Sequence, residues 1–163
     1  MTTPREPQPL GKARLLALLA CILAGGAAGV GLFTFGYADG ASYLTNDPQA
    51  CANCHVMQPH LDAWVKSSHG KFAVCNDCHA PRTSYAAKYY CKARNGFFHS
   101  LAFTTGGFPD EIQMHAYNRG VVEANCRSCH AELTHAIDPD PKPGGAIEST
   151  SCLHCHRTVG HDT

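Results

Sequence analysis

The sequence predicts a mainly α-helical protein with much irregular structure, in which one N-terminal transmembrane helix precedes a compact domain rich in cysteine and histidine. Three observations lead to this prediction. A long uncharged stretch lies near the N-terminus, ten cysteines and eleven histidines occur almost entirely after it, and no alternating pattern indicates a β-strand. With 13 basic and 13 acidic residues the formal net charge is zero, which argues against binding nucleic acid through a basic surface.

The uncharged stretch runs from Leu15 to Ala38. As a helix it would be about 36 Å long, which is enough to cross the roughly 30 Å hydrocarbon core of a bilayer. A cleaved signal peptide is the alternative, but the apolar region of such a peptide usually has only about 7–15 residues. We therefore expect an uncleaved, single-pass anchor in the lipid bilayer.

The charges beside this stretch predict its orientation. Arg5, Lys12 and Arg14 precede it, whereas the next basic residue along the chain is Lys66. The positive-inside rule therefore places the N-terminus in the cytoplasm and the rest of the chain outside. The expected regions are a cytoplasmic N-terminus over residues 1–14, the anchor over residues 15–38 and an outward-facing domain over residues 39–163.

The motif C-x-x-C-H occurs four times after the anchor. Such a motif attaches c-type haem, because both thiols bond to the haem vinyl groups and the adjacent histidine reaches the iron. Zinc is the alternative, since cysteine pairs 20 and 22 residues apart fit a zinc ribbon, but zinc does not require a histidine directly after all four pairs. Disulfides are excluded because haem uses the thiols. The motifs are Cys51, Cys54 and His55; Cys75, Cys78 and His79; Cys126, Cys129 and His130; and Cys152, Cys155 and His156.

Four covalently bound haem c groups also explain how so short a domain could fold. The residues after the anchor contain many turns and cannot easily build a conventional apolar core. Four macrocycles would supply large apolar surfaces around which short helices and loops pack. The predicted fold is therefore a compact tetrahaem c-type cytochrome domain behind a transmembrane anchor.

The intervals between the motifs predict short helices and loops. HLDAWVKSSHG, residues 60–70, predicts a short helix that ends at Gly70. TSYAAKYYCKARNGFFHSLAF, residues 83–103, has near-helical spacing and predicts the longest helix outside the membrane. NRGVVEANC, residues 118–126, predicts another short helix, and DPDPKPGG, residues 138–145, predicts a loop.

Seven histidines lie outside the motif histidines, and some of them should be second axial ligands of low-spin haem iron. His154 lies inside a motif and is too constrained to bind its own iron, and His60 is expected at the surface. Periodicity does not choose among the remaining five, which are His69, His99, His115, His135 and His161. Two cysteines lie outside the motifs. Cys21 is interpreted as a small apolar residue of the anchor, and Cys91 has no assigned role.

The string CANCHVM…SSHG…CNDCHAP…KYYCKARNGFFHS…NCRSCH…CLHCHRTVGH behind one anchor resembles the NapC/NirT family of membrane tetrahaem quinol dehydrogenases. The C-H-x-M of the first motif and the short chain resemble the branch of small subunits of cytochrome c nitrite reductases. The resemblance implies a protein of the bacterial cytoplasmic membrane, with its haem domain in the periplasm. It would oxidise menaquinol and pass electrons to a catalytic multihaem subunit that reduces nitrite to ammonium. Two alternatives stay open, a NapC-like quinol dehydrogenase that feeds a different periplasmic reductase and a redox-inert zinc protein.

The same resemblance implies a set of axial ligands. In this family the methionine of C-H-x-M binds the first iron and the motif histidine does not, so Met57 replaces His55. The fourth iron would receive a lysine from the partner subunit. The proximal ligands would be Met57, His79, His130 and His156, and the distal ligands would be His161 for the second haem and His69 for the third.

The resemblance also implies a quinol site in the insert between the second and third motifs. Family members place a lysine there, and some have an acidic residue seven positions later. Lys92 matches the lysine, but His99 stands at the later position, with Asn95 between them. The implied quinol-site residues are therefore Lys92 and His99, and the alternative for Lys92 is a solvated charge on a helix.

Overall fold

A computed structural model describes residues 11–109, 111–137 and 150–161 of the chain. These residues form helices and irregular segments without a β-strand, which confirms the predicted fold class. The chain divides into two compact units, Met1–Ala41 and Ser42–Thr163. The predicted loop at residues 138–145 lies outside the described residues. The α-helices are α1 (Lys12–Tyr37), α2 (Pro48–Cys51), α3 (Gln58–Lys66), α4 (Cys75–His79), α5 (Tyr85–Thr105), α6 (Ala116–Cys129), α7 (Ala131–Ile137) and α8 (Cys152–Cys155), and short 3₁₀ helices cover Gly40–Leu44 and His55–Met57.

Helix α1 contains the predicted anchor and begins three residues before it. It has 26 residues, all of them exposed within the described structure, and is long and apolar enough to cross a membrane. The early start follows from Lys12, Ala13 and Arg14, since all three residue types favour a helix. The helix ends before Asp39, whose φ of 48° lies in the left-handed region.

Helix α3 begins and ends earlier than the sequence predicts. Pro59 lies in its first turn, where a proline needs no hydrogen-bond donor, so the helix starts before His60. It ends at Lys66, and Gly70 is not its terminus. Gly70 instead passes close to the end of the helix, because a Cβ atom there would meet the carbonyl oxygen of Trp64. Gly70 therefore allows the chain after α3 to pass close to the last turn of the helix, and it does not end the helix.

Helix α5 is the longest helix after the anchor, as predicted. Ser84 caps its N-terminus, since the Ser84 hydroxyl accepts a hydrogen bond from the Ala87 N–H at 3.1 Å. Gly106 ends the helix in the left-handed conformation, with φ of 68°. The local signals for both ends are therefore present in the sequence.

The haem motifs extend or form helices that the interval patterns do not show. Helix α6 has 14 residues and extends the predicted segment, residues 118–126, by two residues at its start and by three at its end, where it includes Cys129. Helices α4 and α8 consist almost entirely of motif residues. Cysteines three positions apart lie on one helical face, so a C-x-x-C pair fits a single turn.

The polypeptide buries few apolar side chains. Among the described residues, the buried apolar ones are Ala50, Leu61, Ala80, Cys91 and Val122, and Asn125 is buried with them. All except Leu61 are small or of medium size. This agrees with the expectation that the protein alone does not supply a conventional core.

Candidate haem and quinol sites

The cysteines of each motif are arranged to bond one macrocycle from the same side. In the last three motifs both thiols lie on a single helical turn, and in the first motif Cys51 ends α2 while Cys54 follows it. None of the ten cysteines, all of which lie in described residues, forms a disulfide. The thiols are therefore available for covalent attachment of haem.

The first two motifs lie side by side. The Cys75 thiol donates a hydrogen bond to Cys51, which lowers the pKa of Cys51 to about 7 against the opposing effect of burial. The same hydrogen bond and burial raise the pKa of Cys75. The attachment points of the first and second haem groups are therefore neighbours.

Two histidine pairs have the separation that a shared metal ion requires. The ring centres of His79 and His161 are 6.1 Å apart, and so are those of His69 and His130. Metal–imidazole bonds are about 2 Å long and a ring nitrogen lies about 1.1 Å from the ring centre, so one iron between two rings places their centres about 6.2 Å apart. These are the two pairs that the family resemblance implies, and their ligand roles stay a prediction.

The two pairs differ in the orientation of their rings. The planes of His79 and His161 are nearly parallel, at 11° to each other. The planes of His69 and His130 are close to perpendicular, at 73°. The two ligand pairs would therefore give ligand fields of different symmetry at two otherwise similar haem irons.

His60 lies next to the first of these pairs and not at the surface, so that expectation was wrong. Its ring is half-buried, and its Nδ1 atom is buried without a hydrogen-bond partner. The ring centres of His60 and His161 are 5.0 Å apart, which is too short for an iron between them. His60 is therefore a neighbour of the distal ligand rather than half of an axial pair.

The histidine cluster keeps His79 neutral. Burial and, to a lesser extent, the nearby rings of His161 and His60 lower the pKa of His79 to about 4. A neutral imidazole has the free nitrogen that binds a metal. A cleft of about 490 Å³ opens beside His161 and is lined by residues of α3 and by Thr158. The donor set thus suits a haem iron.

The first and fourth motifs have no such pair. His55 is exposed, whereas Met57, at the other end of the same 3₁₀ helix, is half-buried. His156 follows α8 and is exposed, and within the described part of the chain no ring contact joins it to another histidine.

Lys92 is not a freely solvated charge. Its Nζ atom donates to the carbonyl oxygens of Tyr43 at 2.9 Å and of Thr45 at 2.5 Å. Burial, followed by the charge of Lys88, lowers the pKa of Lys92. An ammonium group has three donors, so one N–H of Lys92 remains for another acceptor.

His99 lies on the same face of α5 as Lys92. Seven residues make two helical turns, which separates their Cα atoms by about 10.5 Å along the axis. Desolvation, followed by the nearby His115, lowers the pKa of His99. The pair therefore combines a hydrogen-bond donor with a neutral imidazole along one helix face.

Asn125 is a site residue that sequence reasoning missed. Its side chain is 5% exposed, and its amide donates to the carbonyl oxygens of Cys78 at 2.9 Å and of Ala80 at 2.8 Å. The Cys91 thiol donates to the carbonyl oxygen of His79, with S and O 3.6 Å apart. The available signal was a polar residue three positions after Val122, on the buried face of α6.

Glu123 was missed as well. Its carboxylate accepts hydrogen bonds from the Ser151 hydroxyl at 2.6 Å and from the N–H groups of Cys152 at 2.9 Å and Leu153 at 3.1 Å. Burial raises the pKa of Glu123, but these hydrogen bonds together lower it to about 2. Arg127, one turn later, donates to the carbonyl oxygen of Thr150. No local pattern indicates bonds that span 23 to 30 residues.

The chain is similar to known proteins. Residues 12–163 match the NapC/NirT cytochrome c family, N-terminal region. The chain is 35% identical over 159 residues to the cytochrome c-type protein NrfH of Wolinella succinogenes, covering 93% of this chain and 89% of that relative. It is 27% identical over 180 residues to the tetraheme c-type cytochrome CymA of Shewanella oneidensis, covering 94% of each.

A solved structure is also similar. It is the crystal structure of a cytochrome c nitrite reductase NrfHA complex bound to the HQNO inhibitor. The TM-score is 0.56 and the sequence identity 29%, and the match covers 83% of this chain and 87% of the chain in that structure.

Proposed function

The chain belongs to the NapC/NirT cytochrome c family, and from this premise we propose that it oxidises menaquinol and delivers the electrons to a nitrite reductase. It is a membrane-anchored cytochrome that carries covalently bound haem c on four C-x-x-C-H motifs. Haem c, when bound, supplies one-electron redox centres. The two electrons of each quinol therefore leave singly, and two protons are released with them.

The observation that carries this proposal is the pair of histidine couples at 6.1 Å, each made of one motif histidine and one distant histidine. Two strong-field imidazoles on one iron favour a low-spin centre with no open position, which suits electron transfer rather than binding of a substrate. Reduction of nitrite therefore belongs to the partner. This chain contributes quinol oxidation and the path for the electrons.

The quinol site in this proposal uses helix α5. The third N–H of Lys92 donates to a quinol oxygen, while the other two hold the carbonyl groups of Tyr43 and Thr45. His99 is neutral because its pKa is lowered, so it accepts a proton at its unprotonated ring nitrogen. His99 thus takes the place of the acidic residue found in some relatives.

The proposal also includes a catalytic partner subunit and an orientation of the chain in the membrane. The similar solved structure is a nitrite reductase complex that contains an NrfH chain, and His156 of this chain is exposed. We assign the fourth haem to the contact with a catalytic multihaem subunit, which donates a lysine to its iron. The N-terminus is cytoplasmic, and the haem domain lies in the periplasm of a bacterial cell.

A second candidate is quinol oxidation for a different periplasmic reductase. The similarity to CymA and the replacement of an acidic residue by His99 favour it. Purification of the full chain from its own membrane separates the two candidates. Recovery of a multihaem nitrite-reducing subunit supports the first, and recovery of another reductase supports the second.

The quinol site is tested with the full chain in lipid nanodiscs, reduced by a menaquinol analogue. Lys92→Ala should slow haem reduction roughly 10- to 150-fold, because a charged hydrogen bond contributes about 1.5–3 kcal/mol. Reduction by dithionite should not change. Lys71→Ala is the matched control, since it removes the same charge from an exposed position. Equal quinol-driven rates in wild type, Lys92→Ala and His99→Ala would place the site elsewhere.

A further inference from the structure

We propose that Asn125 is a positioning residue for His79, which keeps the His79 ring parallel to the His161 ring. The inference rests on the proposed function, in which His79 and His161 are the axial ligands of the second haem. It goes beyond that function because it assigns the orientation of a ligand, and with it the electronic symmetry of one haem, to a residue that binds neither iron nor substrate.

The backbone around His79 needs external donors. Helix α4 ends at His79, and the last carbonyl groups of a helix have no partner within the helix. Asn125 donates to the carbonyl groups on either side of His79, those of Cys78 and Ala80. Both amide hydrogens are used, and the Asn125 side chain is buried.

The carbonyl group of His79 itself is also held. It accepts a hydrogen bond from the thiol of Cys91 on α5. Three consecutive peptide groups are therefore fixed by side chains of two helices. A turn of this backbone would leave a buried amide of Asn125 without an acceptor, which is strongly unfavourable. The direction of the Cα–Cβ bond of His79 is fixed as a result.

The other motif histidine in an axial pair, His130, is held by exposed rather than buried side chains: Thr134 Oγ1 donates to the Ala131 carbonyl at 3.2 Å, and Arg82 donates to the Cys129 sulfur at 2.8 Å. The carbonyl group of His130 accepts from the backbone N–H of Thr134, within ordinary helical geometry, and its N–H donates to the carbonyl group of Cys126. The His130 ring stands at 73° to His69, in contrast to the 11° between His79 and His161. The parallel arrangement thus occurs where Asn125 acts.

Ring orientation has a spectroscopic signature that folding alone does not produce. Parallel imidazole planes separate the energies of two iron d orbitals and give a rhombic low-spin ferric spectrum. Perpendicular planes leave these orbitals nearly equal in energy and give a spectrum with one very large g value. Electron paramagnetic resonance of the oxidised protein therefore reports the two pairs separately.

The test uses the full chain in detergent, with haem counted by mass spectrometry. Wild type should show one rhombic and one large-g low-spin signal from these pairs, each equivalent to about one haem. Asn125→Asp has nearly the same volume but no N–H donors, and with four haem groups retained it should lose the rhombic signal and gain a second large-g signal. If Asn125→Asp does not retain four haem groups, Asn125→Ser gives the same comparison, because a serine side chain is too short to reach both carbonyl groups.

The matched control acts on the other pair. Ser68→Ala removes the hydrogen bond between the Ser68 hydroxyl and His69 Nδ1, which are 3.1 Å apart, and should leave the rhombic signal unchanged. A rhombic signal that persists in the Asn125 variants with four haem groups overturns the inference, as do two large-g signals in wild type. A wild-type protein without any low-spin signal would instead contradict the ligand pairs, and with them the proposed function.

Discussion

Helix α6 joins three of the four haem motifs, whereas the first motif is held by the segment that follows the anchor. The helix carries the third motif, reaches the second through Asn125 and reaches the fourth through Glu123. The first motif instead contacts its preceding segment through exposed groups, such as the amide of Asn53 on the Ser42 hydroxyl at 3.0 Å.

This difference separates a rigid part of the electron path from an adjustable part. Buried and part-buried hydrogen bonds to α6 fix the second, third and fourth attachment points relative to one another, and electron transfer between centres needs constant spacing. Exposed polar bonds contribute little and break easily. Apart from the Cys75–Cys51 hydrogen bond to the second motif, the first motif is therefore held mainly by exposed groups.

The largest effect should come from the distal ligands of the rigid part. His161→Ala and His69→Ala should each convert one low-spin haem to high-spin, because each removes one of two strong-field ligands. Magnetic circular dichroism of the oxidised full chain measures the change.

His60→Ala is the control for these variants, since His60 contacts His161 but is too close to share an iron with it. Its spectrum should match that of wild type. If both ligand variants keep their low-spin spectra, the distal roles pass to His135 or His115.

A smaller effect is expected on stability. Asn125→Ala leaves two carbonyl groups without donors, and we expect it to lower the free energy of unfolding by about 2–4 kcal/mol. Asn53→Ala, at the exposed bond of the first motif, should cost no more than about 0.5 kcal/mol. Guanidinium unfolding followed by far-ultraviolet circular dichroism compares them, and equal losses would remove the distinction between the two regions.

The smallest effect should be a dependence on pH at the fourth motif. Glu123 has a pKa of about 2, below its usual value of 4.5, so its contribution to stability is complete above about pH 4.5 and is lost as the pH falls through about 2.

Glu123→Gln should therefore be less stable than wild type at pH 7, and the difference should shrink as the pH approaches 2. Thermal unfolding at pH 7, 4 and 2.5 measures it. Glu132→Gln, at an exposed acidic position on α7, should not change the pH profile. A constant difference between Glu123→Gln and wild type at all three values would contradict the assignment.

Much of the fold could be predicted because its signals are local. The uncharged run gave α1, and the spacing of Tyr85, Tyr89 and Lys92 indicated α5 with its terminal Ser84 and Gly106 nearby. Helix α6 ends three residues later than predicted, because Cys129 was interpreted only as an attachment point. Yet cysteines three positions apart are equally compatible with a helical turn.

The site was predictable to a smaller extent. The motifs identified the attachment residues, but spacing left five distal histidines open, and only the resemblance selected His69 and His161. The contacts of Asn125 and Glu123 join residues 28 to 47 positions apart. Such contacts depend on tertiary packing, which also moved His60 from its expected surface position to the side of His161.

The few apolar side chains that the polypeptide buries have a consequence for how the protein is made. With so little interior of its own, the chain should have no stable folded state before its cofactors are attached. Attachment must then act on an open chain, and each bonded macrocycle completes part of the interior. A copy that misses one attachment stays partly unfolded and open to proteases, so maturation itself removes the incomplete electron carriers.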